Sequence, residues 1–267
     1  MKRRKAARRR GRLRNKLAAL AAVLVAAAVL LAFSPPGQQL RGLVALDPAG
    51  PLRAAIVDQA AAYDVNPEFV AAATDTLEAA GYAVDYYPGE EVTVDLYREL
   101  PAHGYDLIIF RVHSARMKED EKGKPVDEVV LFTSEAYAAG SYEEQADKRL
   151  AWVRYYEGGP LYFGIRPSFV ISSMRGNLAG TTIMLMGCDG LTSVNATARA
   201  FLVRGADSFI SWDASISWGH SDAAIQRLLE LMLVDGLDTE EAVEQTADEL
   251  GPDPVFGAQL RVLTDHR

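Results

Sequence analysis

Asp106-Leu-Ile-Ile-Phe-Arg-Val-His-Ser114 is a stretch with four consecutive apolar residues at its centre and a histidine near its end. Such an uninterrupted run is typical of a strand that is buried on both faces, as the inner strands of a parallel sheet are. Thr181-Thr-Ile-Met-Leu-Met-Gly-Cys-Asp-Gly190 has the same form and carries the one cysteine of the chain to a turn flanked by glycines. If the two strands are neighbours, His113 and Cys188 lie at one edge of the sheet, as a base and a nucleophile would.

Strands and helices alternate along most of the chain. The apolar runs predict strands at 54–58, 82–87, 105–112, 128–134, 160–165, 181–186 and 207–212. Helical spacing and capping residues predict helices at 66–80, 93–100, 168–175, 194–204, 222–234 and 239–250. We interpret 116–127 as a charged loop and 138–156 as a polar, partly helical segment. The alternation predicts an α/β fold, a three-layer αβα sandwich around a mostly parallel sheet.

The N-terminus has the charge pattern of a membrane anchor. Residues 1–16 contain ten Lys or Arg and no acid, and residues 17–33 are seventeen apolar residues in a row. As a helix this run spans ~26 Å, near the lower limit for crossing a bilayer. The positive charges predict a cytoplasmic N-terminus and an extracytoplasmic main domain. We therefore expect a single-pass signal anchor in the cell membrane; the alternative is a cleaved signal peptide and a secreted protein.

The remaining chain divides into a tether and one domain. Residues 34–52 are rich in Pro and Gly, and 53–267 have a length that suits a single α/β domain with an insertion at about 114–160. The whole chain has a formal net charge of −8, and without the ten positive charges of the tail residues 17–267 carry −18. So acidic a domain repels phosphate backbones, and we expect no nucleic-acid partner. Since no Gly-rich phosphate loop and no His/Cys metal spacing occurs, we also expect no cofactor and no metal.

Four chemically active side chains follow predicted strands. They are Asp58, His113, Cys188 and Asp213, and in a parallel sheet they share the carboxyl-terminal edge, where functional groups gather. A helix predicted after Cys188 would favour its thiolate, as would a nearby imidazole. The alternative is an inert buried thiol. His220 is a rival base, just before a predicted helix.

A strand followed by His, then a later strand followed by Gly-Cys-Asp-Gly, resembles the cysteine peptidase clan of caspases, gingipains, separases and bacterial CHAT domains. The segment Ala196-Thr-Ala-Arg-Ala-Phe-Leu-Val-Arg-Gly-Ala-Asp-Ser-Phe-Ile210 is similar to the helix, Gly-Ala turn and strand that follow the CHAT cysteine. The resemblance covers roughly 54–250 and is closest to the CHAT type. It implies a caspase-like arrangement of the sandwich and a protein or peptide substrate.

The resemblance also implies a mechanism. The thiolate of Cys188 attacks a peptide carbonyl, and His113 protonates the leaving amine and later activates water. The amide of Cys188, with that of Ser114, would hold the oxyanion. Relatives commonly have Gly where this chain has Ser114, although a serine retains the N–H.

Substrate selection and an alternative role follow from the same resemblance. In this clan the end of the first strand often lines the pocket for the residue before the cut. Asp58 occupies that place, where a carboxylate would select Arg or Lys; Asp189 and Asp213 are weaker candidates. The alternative function is a catalytically silent module on the outer face of the membrane, with the insertion as its contact surface.

The topology leads to a testable prediction. Protease added to intact cells should digest the domain after residue 53 and spare the basic tail, because the tail is expected inside. Immunoblotting with one antibody against the basic tail and one against the domain shows which part is digested. In the control, cells opened with detergent expose both parts to the protease. Full protection of the domain in intact cells would reverse the predicted orientation.

Overall fold

The computed structural model describes residues 50–119, 123–193 and 195–264. A single compact unit begins at Pro51. The predicted anchor at 17–33, the basic tail and nearly all of the predicted tether lie outside the described residues. Within the described ranges, no helix is long and apolar enough to cross a membrane.

The strands of the described chain form two sheets. Their bounds are β1 Leu52–Asp58, β2 Tyr82–Pro88, β3 Leu107–Arg111, β4 Ser114–Glu119, β5 Pro125–Ala136, β6 Leu150–Val153, β7 Tyr162–Ile165, β8 Thr182–Leu185, β9 Ser208–Trp212 and β10 Leu260–Thr264. The larger sheet has the order β10-β9-β8-β3-β1-β2. Adjacent strands of this sheet are parallel, except that β10 is antiparallel to β9. The prediction of a mostly parallel sheet is therefore confirmed, whereas β10 was not predicted.

Helices cover both faces of this sheet. Their bounds are α1 Pro67–Ala79, α2 Val94–Glu99, α3 Pro167–Ser172, α4 Ala196–Val203, α5 Trp218–Leu233 and α6 Thr239–Leu250. Helices α1, α5 and α6 share a core with the side chains on one face of the sheet, such as Ile109 and Met184. Helices α2, α3 and α4 share a second core with the opposite face, where Phe110 packs between Tyr97 and Phe201. Alternate residues of a strand point to opposite faces, so each inner strand contributes to both cores.

Local capping places the helices much as the sequence predicts. The Asn66 side chain accepts a hydrogen bond from the Phe69 amide at 3.1 Å, directly before Pro67 at the first helical position. Asp238 accepts in the same way from the Glu241 amide at 2.9 Å. Each cap satisfies an amide that the first helical turn leaves without a partner. Helix α5 starts at Trp218, four residues earlier than predicted.

The insertion between β3 and β8 differs from its prediction. The segment that we interpreted as a charged loop, 116–127, belongs largely to the antiparallel pair β4 and β5. The side chains of Arg116 and Asp127 form an ion pair between the two strands, with two N–O contacts at 2.6 and 2.7 Å. In the described residues of this segment, charged side chains such as Arg116 and Asp127 therefore lie on a pair of strands. The segment 138–156 is also less helical than predicted, since it contains one short 3-10 turn, Glu143–Gln145, and strand β6.

The insertion forms its own antiparallel sheet, in the order β4-β5-β7-β6. One face, with Leu131, Phe163 and Ile165, packs into the core shared by α2, α3 and α4. The other face forms a small separate cluster that includes Val130 and Val153. The second sheet is thus fixed to the domain through a continuous core.

Gly164 in β7 yields a prediction. A Cβ there would lie 2.5 Å from Val130 Cγ1 and 2.7 Å from Val153 Cγ1, so Gly164→Ala overpacks the small cluster. We expect a loss of roughly 1–3 kcal/mol in the free energy of unfolding, measured by urea titration. Gly219→Ala is the matched control, because nothing lies within 4 Å of its added methyl group. Equal stabilities of the two variants would contradict the packing described here.

Candidate active site

His113 and Cys188 follow adjacent strands of the larger sheet. In the parallel pair of β3 and β8, Phe110 lies opposite Leu185, and the Met186 amide donates to the Phe110 carbonyl at 2.9 Å. His113 and Cys188 each come three residues after this opposed pair. The structure therefore brings the two residues to neighbouring positions at the carboxyl-terminal edge.

The turn that carries Cys188 is held tightly against the segment after β3. A Cβ on Gly187 would overlap the Val112 carbonyl oxygen and the Ser114 hydroxyl, so only glycine fits. The Ser114 hydroxyl in turn donates to the Cys188 carbonyl at 2.6 Å. Ser114 is thus the residue that ties the cysteine turn to the start of β4.

The thiol of Cys188 is half-buried and turned toward the loop after β9. Burial raises the pKa of Cys188; the Ile216 N–H and then the Ser215 hydroxyl oppose that rise, while Asp189 adds to it. The expected lowering of the pKa by a helix N-terminus and an imidazole is not found. Helix α4 begins only at Ala196, eight residues beyond the cysteine. Cys188 is therefore a neutral thiol at neutral pH.

The imidazole of His113 packs among aromatic rings. Its neighbours, by centroid distance, are Tyr155 at 5.0 Å, Tyr63 at 5.1 Å, Trp218 at 5.3 Å and Phe132 at 5.8 Å. Burial lowers the pKa of His113 to about 4, and the Asp64 carboxylate opposes that shift. The ring is consequently neutral at pH 7 and able to accept a proton.

Gln59 holds the histidine segment in place and was not predicted from the sequence. Its buried side chain accepts a hydrogen bond from the His113 amide at 3.1 Å and donates to the Tyr155 hydroxyl. It also accepts from the Tyr63 hydroxyl at 3.4 Å. The signal in the sequence is modest: a neutral polar residue stands directly after the first predicted strand.

Asp58 lies inside the domain as the partner of Arg111. Its side chain is 1% exposed and accepts from the Arg111 guanidinium at 3.0 Å, the Ala61 amide at 3.0 Å and the Tyr86 hydroxyl at 3.2 Å. Burial raises the pKa of Asp58, and the arginine beside it offsets part of that rise. Selection of a basic substrate by Asp58 stays a prediction, but any substrate would have to compete with Arg111.

The Arg111 guanidinium is fully buried and binds two further acids. It contacts Asp222 in α5 at 2.9 Å and Asp64 at 3.5 Å, and it lies 5.0 Å from the ring centre of Trp218. These contacts join β1, β3, α5 and the loop before α1 beneath the aromatic rings around His113. In the sequence, the only sign of this buried network is that a charged residue, Arg111, ends an otherwise apolar strand.

The other predicted residues have different surroundings. Asp213 accepts from the Gln259 amide at 2.8 Å and pairs with Arg261 at 3.1 Å, so it anchors β10. Asp189 adopts a left-handed conformation, with φ of 62°, and its half-buried carboxylate has no hydrogen bond or ion pair among the described residues. His220 lies in the first turn of α5, its ring 5.5 Å from that of Trp212. Its Nε2 is buried without a partner in the described part of the chain.

A cleft of about 520 Å³ opens beside His113. We call it the tyrosine cleft, because four tyrosines line it together with the histidine and one acid: Tyr63, Tyr155, Tyr156, Tyr162, His113 and Glu90. Its walls come from the loop after β1 and from the segment that leads into β7. Cys188 is not part of these walls, so the cleft lies on the histidine side of the predicted pair.

Comparison of the chain with models of known protein families finds no match, and a search among curated proteins finds no related sequence.

The buried ion pairs lead to a second stability prediction. Arg111→Met leaves Asp58 and Asp222 buried without a counter-charge and should cost about 3–5 kcal/mol of unfolding free energy. Asp58→Asn should cost less, roughly 1–3 kcal/mol, because Asp222 and Asp64 remain beside the arginine. Chemical unfolding followed by tryptophan fluorescence measures both variants.

The control for these substitutions is Arg261→Met, which removes a pair whose arginine is 53% exposed. Exposed pairs contribute ~1 kcal/mol or less. A loss for Arg111→Met no greater than that of the control would mean that the buried network does not support the fold.

Proposed function

We propose that the domain is a cysteine peptidase of the caspase/CHAT type, with Cys188 as nucleophile and His113 as general base and acid. The observation that carries this proposal is their placement at the ends of two adjacent, aligned parallel strands. The one cysteine of the chain and a neutral imidazole therefore flank the same short edge.

The resting charges suit a mechanism in which the substrate lies between the two groups. As the Cys188 sulfur bonds to the peptide carbonyl carbon, the thiol proton passes to the neutral imidazole of His113. The imidazolium then gives this proton to the leaving amine as the C–N bond breaks. In the second half, His113 takes a proton from water, the water oxygen bonds to the acyl carbon, and the released sulfur recovers the proton.

Backbone amides at the same edge would stabilise the tetrahedral oxyanion. Among the described residues, no backbone hydrogen bond is donated by the Cys188 amide, so this N–H is available to an oxyanion. The Ser114 amide is the second proposed donor. Because the Ser114 side chain is bound to the Cys188 carbonyl at 2.6 Å, the two amides belong to one rigid unit. Fixed donors of this kind need no reorganisation during the reaction.

We propose a protein or peptide substrate. With Asp58 bound to Arg111 and Asp213 to Arg261, Asp189 is the predicted acid best able to receive a basic side chain. It directly follows the nucleophile, and burial raises the pKa of its carboxyl while Arg116 opposes that rise.

The membrane location is proposed from the sequence alone. Residues 17–33 would anchor the enzyme as a single pass with the N-terminus in the cytoplasm and the domain outside. Cleavage after this segment would instead release a secreted form.

A catalytically silent binding module is the second candidate. The observation that favours it is the packing of the His113 ring against four aromatic rings, together with the raised pKa of the Cys188 thiol. In that case the second sheet would be the contact surface for a partner protein.

The peptidase function is tested with a library of unstructured peptides analysed by mass spectrometry. Cys188→Ala should abolish cleavage, and His113→Ala should lower kcat/KM on the order of a hundredfold to ten-thousandfold, because the base and acid is lost. His220→Ala is the matched control and should change kcat/KM little. Loss of cleavage in His220→Ala with retention in His113→Ala would transfer the base to His220.

The pH dependence provides a second measurement on the same assay. Since the pKa of His113 is lowered to about 4, kcat/KM should stay high through pH 6 and fall as the pH drops through about 4, where the base becomes protonated. Thermal unfolding at each pH controls for acid denaturation. Alkylation of Cys188 by iodoacetamide without any peptide cleavage would favour the silent module, and protection from alkylation would indicate a structural thiol.

A further inference from the structure

The tyrosine cleft lies where the leaving part of a peptide would pass. His113 forms part of its wall, whereas Cys188 does not. In the proposed reaction His113 gives its proton to the leaving amine, so the chain beyond that amine runs past the imidazole. The cleft is thus placed to receive a side chain on the leaving-group side of the cut.

The rings of the cleft present faces that attract a cation. Tyr156 is 65% exposed, and Tyr63 is 45% exposed although one side of its ring stacks on His113, so both residues offer accessible surface to a ligand. The negative face of an aromatic ring attracts guanidinium and ammonium groups. The domain uses this contact elsewhere, since the Arg53 guanidinium lies 4.9 Å from the ring centre of Tyr105 and that of Arg154 lies 5.0 Å from that of Trp152.

The charges of the cleft point to the same ligand. Glu90 is an exposed lining residue whose carboxylate has no ion pair or hydrogen bond in the described part of the chain, and the residues that line the cleft include no lysine or arginine. His113 adds no positive charge at neutral pH, because burial lowers its pKa to about 4. A guanidinium or ammonium group supplies donors for the exposed Glu90 carboxylate.

We propose that the tyrosine cleft binds an arginine or lysine side chain on the leaving-group side of the peptide bond that is cut. The cation would lie against the ring of Tyr156 and the side of Tyr63 that faces away from His113, with Glu90 as its counter-charge. The orientation of the peptide rests on the proposed peptidase function, whereas the binding of a cationic side chain does not.

The test measures binding separately from cleavage. Two fluorescein-labelled pentapeptides that differ only at the central position, arginine or its neutral isostere citrulline, are titrated into the Cys188→Ala chain by fluorescence anisotropy. The arginine peptide should bind tighter by on the order of threefold to thirtyfold, as a cation over aromatic faces requires. Glu90→Gln and Tyr156→Leu should each reduce this preference, and added salt should weaken it.

Glu91→Gln and Trp152→Leu are the matched controls. Glu91 adjoins Glu90 and is also exposed, so its substitution changes the net charge equally without touching the cleft. Trp152 is an exposed ring outside the cleft. Equal affinity for the two peptides, or an equal loss of preference in the control variants, would overturn the proposal.

Cleavage by the unaltered chain then separates this inference from the proposed function. Cut sites with Arg or Lys among the first residues after the cut would support the proposed orientation, and cut sites without them would overturn it. An arginine preference in binding with no cleavage at all would refute the peptidase function and leave the cation site established.

Discussion

The candidate site depends on the ion pairs that the buried Arg111 guanidinium forms with three acidic side chains. This arginine binds carboxylates from β1 and α5 and from the loop before α1, and its own backbone ends β3, beside β8. A buried charge is costly without partners, so these elements must keep one relative arrangement. His113 lies two residues after Arg111 in the chain, so the same contacts fix where its backbone lies. The position of the imidazole is thus set by electrostatics inside the domain as well as by the strand pairing.

Burial has opposite effects on the pKa values of the two proposed catalytic groups, and both effects favour the neutral form. Burial raises the pKa of the Cys188 thiol and lowers that of the His113 imidazole, so both groups are neutral at rest. No ion pair then has to be desolvated when a peptide excludes water from the edge. The proposed reaction would separate charge, and the Ile216 N–H near the sulfur and the Asp64 carboxylate near the ring would then stabilise the charges that form. The aromatic rings supply the low dielectric around the histidine.

The sequence predicts the features that depend on local pattern. The apolar runs locate β3 and β8, and Asn66 with Pro67 locates the start of α1, because burial on both faces and helix capping each leave a short signature. The parallel alternation also predicts that His113 and Cys188 share an edge. Features that depend on distant partners were missed. Gln59 contacts His113 across 54 residues and Arg111 contacts Asp222 across 111, and no local pattern encodes such pairs. Strand β10 was not predicted because it is a short edge strand that is only partly buried, so its sequence lacks a continuous apolar run.

The placement of the second sheet in the chain has a consequence for synthesis. Strands β1, β2 and β3 are synthesised early. The side of β3 that pairs with β8 in the finished sheet stays without a partner until β8 has been made. The contacts along this side are therefore distant in sequence, as the hydrogen bond from the Thr181 hydroxyl to the Tyr105 carbonyl across 76 residues shows. Roughly 70 residues at about 5–20 residues per second take roughly 4–14 s to synthesise. During that interval the β3 edge is a template for wrong pairing. Because the four-stranded sheet is encoded between β3 and β8, its length sets how long the nascent domain needs protection from aggregation.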